Sequence, residues 1–173
     1  TPDGASSEPA KRNQAFRLFP NRSEALKQPH SQVLSYVLRF SESVRGLSVG
    51  APVDFRGITV GEVTAIRPHF SPRATDLGLM VEVAIFPGSM QIHPQPGKTT
   101  YFGKDARSGD FRAFSDQLVT NGLRAQLRSG SLVTGQIYVA LDFFPAAKPL
   151  KIDWKHVPPL FPTQRSSLDE LQT

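Results

Sequence analysis

At 173 residues the chain is long enough for one domain with its own core, plus tails. It has no cysteine, which excludes disulfides, a thiol nucleophile and thiolate metal sites. Twenty Lys and Arg against 15 Asp and Glu give a formal charge of +5, but the positive residues are scattered, which fits a solvated surface better than a nucleic-acid groove.

Hydrophobic residues are 39% of the chain, and the deficit sits at the two ends, so the middle is the folded part. Residues 1–34 are read as a linker or interdomain connector. Their first fifteen positions are polar, rich in Pro and Ser, and without period. The folded domain is expected over 35–155, with a second connector over 156–173. The 15 prolines and 13 glycines fall between short apolar runs, which favours many short strands.

Tyr36, Leu38 and Phe40 alternate with Val37, Arg39 and Ser41, placing the first three on one face of a strand. Val53 and Phe55 mark a second strand, and a third is expected from about Thr59 to Arg67. Leu79, Val81, Val83 and Ile85 line one face of a fourth. A helix follows: Asp110 can cap it, Phe111, Phe114 and Leu118 share a face, and Gly122 can end it. This reads as a packing helix over a barrel opening. Leu123, Ala125 and Leu127 alternate with Arg124, Gln126 and Arg128 in a fifth strand. Ile137, Val139, Leu141 and Phe143 form the inward face of a sixth, and Leu150 to Trp154 is a weaker seventh. The spacing points to an all-β fold, a small antiparallel barrel or sandwich with one inserted helix and flexible tails. At the end, Ser167-Leu168-Asp169-Glu170 is a capping-box pattern that opens a longer helix.

Several chemistries fail on spacing. Pro96-Gly97-Lys98-Thr99 resembles the end of a phosphate loop, but the glycine required five residues before Gly97 is Ile92. Gly130-Ser131 lacks the glycine of a nucleophile elbow, since that position is Ser129. None of His30, His69, His93 and His156 has a partner at metal-ligand spacing. No catalytic residue, metal or cofactor is called, and the chain is not read as an enzyme. Asn21-Arg22-Ser23 is a formal sequon of a kind common by chance. The most apolar window, Leu132 to Pro145, is interrupted by Gln136 and Asp142 and is too short to span a bilayer, so a membrane anchor is expected outside this stretch.

Two stretches carry the information. From Phe40 to Val63 the chain turns at Gly46 and Gly50 and forms a hairpin at Gly57, with Gly61 where backbones approach closely. From Gly122 to Pro145, two alternating strands flank a loop bracketed by Gly130 and Gly135, with Leu132 and Val133 at its tip. Each such side chain left in water forgoes about 1.5–3 kcal/mol of burial. Either the loop folds back on its own domain, or the tip meets copies of itself or an apolar ligand.

Ser43-Val-Arg-Gly-Leu47, Gly50-Ala-Pro-Val53, Phe55-Arg-Gly-Ile58, Val60-Gly-Glu-Val63 and Leu132-Val-Thr-Gly-Gln136 together resemble the mammalian-cell-entry (MCE) domain. The likeness runs from about Val37 to Pro145 and is nearest the multi-domain branch typified by paraquat-inducible protein B. The segments Phe16 to Ala25 and Leu160 to Leu171 look like that branch's interdomain connectors. The resemblance implies a seven-stranded barrel, six copies of which form a ring around a pore. Leu132 and Val133, with Thr134 beside them, would line the pore and contact phospholipid tails. The host protein would sit in the periplasm of a Gram-negative cell, anchored in the inner membrane with partner proteins there, and carry lipid between the inner and outer membranes. Val133 stands where the branch often has a second leucine. The stretch from Met90 to Phe111 is longer than in compact members and could shape a ring face. A spacer ring without cargo, or a basic barrel that binds RNA, are the rival readings, and no nucleic-acid partner is expected.

Overall fold

The computed structural model describes residues 33–70, 72, 77–87, 108–131 and 133–166. The linker up to residue 32, most of the stretch from Met90 to Phe111, Leu132 and the expected C-terminal helix start lie outside the described residues. The elements in chain order are β1 (Leu34–Phe40), β2 (Pro52–Phe55), β3 (Ile58–Phe70), β4 (Leu77–Ile85), α1 (Ser108–Thr120), β5 (Leu123–Ser131), β6 (Gln136–Phe143) and β7 (Leu160–Phe161).

All seven strands form one curled sheet in the order β5-β6-β2-β3-β4-β1-β7. The expected antiparallel arrangement is corrected to a mixed one. β1 pairs in parallel with β7, and β2 in parallel with β6, while the other neighbours are antiparallel. Parallel neighbours need long crossovers, and α1 lies in the connection that separates β4 from β5 and β6. The sheet's two edges are joined beyond β7: Ala125 bridges Thr163, with Ala125 N donating to Pro162 O at 3.2 Å and Gln164 N to Ala125 O at 2.8 Å. Pairing these edge groups also removes an exposed template for aggregation.

The alternating residues fill the inside. Tyr36, Leu38, Phe40, Val53, Val63, Val81, Val83, Leu127 and Val139 belong to one buried cluster. β3 is longer than expected and contains Pro68. Its pairing with β2 ends at Glu62, whereas its pairing with β4 continues to Phe70. A proline is therefore accommodated where β3 has a neighbour on only one side. β4 runs as expected, with Val81 and Val83 fully buried.

The helix starts at Ser108, so Asp110 lies inside its first turn rather than at the cap position. Its end is as expected: Gly122 has φ 104°, and its N–H donates to Val119 O at 3.0 Å. Phe111 and Leu118 pack on the core cluster, and Asp116 turns the other way. Asp116 accepts from Ile152 N at 3.1 Å and from Trp154 Nε1 at 3.0 Å. Leu150 to Trp154 is consequently not a strand. It is a strap pinned to the helix by one carboxylate, with an isolated bridge from Asp153 to Leu160. The last strand is instead Leu160–Phe161, inside the stretch read as a connector.

Candidate functional site

The β5–β6 turn is the candidate site. Antiparallel pairing brings the two strands together from Leu123↔Phe143 to Ser131↔Gln136, with a register shift between Ser129 and Ser131. The turn is closed from within. Gly135 N donates to Ser131 O at 3.0 Å and Thr134 N to Ser131 Oγ at 3.2 Å. Its base is held by a second loop, because Ile137 N donates to Gly46 O at 3.1 Å. Gly46 has φ 97°, and a Cβ there would stand 2.1 Å from the Gly135 carbonyl oxygen. Only glycine fits this contact, which fixes the turn's direction.

Val133 projects from this braced turn and is 96% exposed. Thr134 beside it is also exposed. The tip does not fold back on its own domain at Val133. Of the other turn glycines, Gly50, Gly57 and Gly135 have positive φ, Gly61 lies against the Ala84 carbonyl, and Gly130 sits within the register shift. By register, the same end of the sheet carries the 41–50 loop and the far end of the β3–β4 hairpin, where Val49, Phe70 and Leu77 are exposed. The helix α1 packs at the opposite end, against the start of β5.

Alternation on β5 does not separate inside from outside. Arg124, which alternation sets on the face opposite Leu123, Ala125 and Leu127, is 1% exposed. Its guanidinium donates to Val119 O at 2.7 Å, Leu123 O at 2.8 Å and Lys148 O at 2.6 Å. Burial pushes its pKa down from the ordinary value. Gln126 is buried as well and donates to Arg165 O at 2.7 Å. The chain after β7 and the strap around Lys148 cover this outer face. No local pattern could have announced that, because the covering residues are 24 to 39 positions away. Glu42 is likewise buried and accepts from Ser166 N and Oγ, tying the end of the described chain to the loop after β1.

On the outer face, opposite Arg124 in the register, Asp142 accepts from Phe143 N at 2.8 Å, Arg128 at 3.1 Å and Arg56 at 3.3 Å. The Phe143 N–H leads in holding its carboxyl below the usual range, with the two guanidinium groups adding to it. Inside, burial pushes the Tyr36 hydroxyl up to about 12 while Ser115 hydrogen-bonds to it. Among the described residues, no group of three or more His, Cys, Asp or Glu could hold a metal ion. No described helix is long and apolar enough to cross a membrane.

A model of the MlaD protein family matches residues 32–144, more than half of the chain. The chain belongs to the MlaD family, whose domain is the MCE domain. Domains of this family are structural components of lipid transport rather than enzymes. The Acinetobacter MlaFEDB complex, solved in an ATP-bound conformation, contains a chain similar to this MCE domain. The two are 17% identical, the match covers 82% of this chain and 80% of that one, and the TM-score is 0.43.

Proposed function

We propose that this MCE domain handles phospholipid, and that its β5–β6 turn lines the pore of a ring of six copies with Leu132, Val133 and Thr134. Val133 carries the reading. An apolar side chain held 96% exposed at the tip of a turn braced by Gly46 is exposed by construction, not by looseness. Water around it forgoes about 1.5–3 kcal/mol per side chain. Several copies pooling their tips recover that energy, and a lipid tail passing through recovers its own, at about 0.8 kcal/mol per methylene. The rigid base matters because a floppy tip would fold onto the nearest apolar surface of its own domain.

The five-motif likeness to the paraquat-inducible protein B branch supports a parent protein in the periplasm of a Gram-negative cell. It would be anchored in the inner membrane beside partner proteins and deliver lipid between the inner and outer membranes. The domain would span 35–155, with connectors on either side. The proposal needs no catalytic residue. Against the nucleic-acid reading stands Arg124, which is inside the protein and unavailable to phosphate. Arg56 and Arg128 are engaged with Asp142.

The test is the paired change Leu132→Asp with Val133→Asp in the parent protein. Lipid crosslinking at the pore is lost while the fold is retained. Equal crosslinking in the variant overturns the reading, and a parent protein that purifies without lipid favours a spacer ring.

A further inference from the structure

The inside of the curled sheet is not filled at the helix end. Between the strands and α1 lies a cavity of about 80 Å³, whose walls include Leu38, Val53, Val83, Leu118 and Phe161. Among the described residues, its polar wall groups are Tyr36 and Ser115, which are hydrogen-bonded to each other. Among the described residues, no buried side-chain nitrogen or oxygen lacks a hydrogen-bond partner. The described wall thus has nothing to offer a headgroup, a sugar or a phosphate.

Size narrows the occupant further. An apolar cavity of about 150 Å³ stays dry and accepts benzene. This one is about half that volume and open on one side, which leaves room for a few methylenes rather than a ring. We infer that the cavity is a binding site for the terminal carbons of one unbranched hydrocarbon chain, whose polar end stays outside the domain. The site is separate from the β5–β6 turn and lies toward the opposite end of the sheet. Each copy of the domain thereby holds a chain end of its own, whatever passes along the turn. The helix is the wall that a chain end must meet, since Phe111, Phe114 and Leu118 all line the void.

The probe is n-octanol, added to the 173-residue chain with ¹³C-labelled methyl groups. Nuclear Overhauser contacts are expected from the octanol terminal methyl to the methyls of Leu38, Val53 and Val83. Benzene and phosphocholine at the same concentration are expected to give none. Val53→Ile with Val83→Ile fills part of the void with two methylenes and weakens octanol binding about tenfold or more. Methyl shift dispersion checks that the variant is folded, and each single change serves if the pair does not fold. The proposal is overturned by the absence of these contacts at saturating octanol, by equal binding of benzene, or by undiminished octanol binding in the filled variants. Crosslinking at the β5–β6 turn is a separate readout, so a failure there and a failure here are told apart.

Discussion

Replacing Arg124 by Met tests how the helix is held to the sheet. The side chain is 1% exposed and donates to three backbone carbonyls. Met has comparable length and no donor, so the space stays filled while the hydrogen bonds go. Lys148 is exposed, and its carbonyl can turn to water. The Val119 carbonyl keeps the Gly122 N–H, whereas the Leu123 carbonyl is bonded in a buried setting and cannot turn to water readily. Leaving that one buried acceptor unpaired costs about 1–3 kcal/mol, and losing the charge-assisted bond to Val119 costs about 1.5–3 kcal/mol more, about 2.5–6 kcal/mol together. Set against this is the relief of no longer burying a guanidinium without a carboxylate partner, a strain that shows in its lowered pKa. A net loss of about 2–4 kcal/mol is expected, large beside the 5–15 kcal/mol stability of an ordinary domain. Urea unfolding with an unchanged slope measures it. Native-state hydrogen exchange should show α1 and the strap at 148–154 losing protection well before β3 and β4. Arg124→Lys should retain part of the stability, because one ammonium cannot reach all three carbonyls. A loss under about 1 kcal/mol for the Met variant, or exchange that rises evenly over the whole sheet, refutes the clamp.

Two further expectations follow from the turn and from the outer face. Gly46→Ala should cost about 2–4 kcal/mol in urea unfolding, because it combines a positive φ with a backbone oxygen 2.1 Å from the new methyl. Gly50→Ala, with φ 86° but open space around the new methyl, should cost only about 1–2 kcal/mol, and equal losses would show that the approach to Gly135 is unimportant. Asp142 has a depressed folded-state pKa, so its contribution is present above the ordinary value of 3.8 and is lost as pH falls through the lower folded value. Asp142→Asn should therefore lower the melting temperature at pH 7 and converge with the parent chain below pH 3.8. A gap that persists in stronger acid would assign the effect to packing instead of charge.

Period-two alternation was enough to locate β1 to β6, because each of these strands buries one face inside a curled sheet. It was not enough for β7. Leu160 and Phe161 are two residues between Pro159 and Pro162, too few to show a period, and they form a strand only because β1 offers them an edge. The parallel pairings of β1 with β7 and of β2 with β6 leave no local mark, whereas an antiparallel hairpin announces itself at its turn. Trp154 looked like part of a strand because its neighbours alternate, yet Asp116 on the helix decides its position. The burial of Arg124 and Gln126 was not legible because alternation assigns a face but not what lies over it. The turn was the most legible part of the candidate site, since glycines bracketing an apolar tip are a local signal. Its bracing by Gly46, 89 positions before Gly135, and the cavity beneath the helix are tertiary features that no spacing encodes.

The most direct measurement places a photo-crosslinking amino acid at position 133 of the parent protein in its native membrane, with a second variant carrying it at Ile58. Both side chains are exposed, Val133 by 96% and Ile58 by 60%, so accessibility alone gives both a chance to react. Phospholipid attached at 133 and absent at 58 is the expected result. Attachment at 58 equal to that at 133, or none at 133 while lipid is in transit, would contradict a pore lined by the β5–β6 turn.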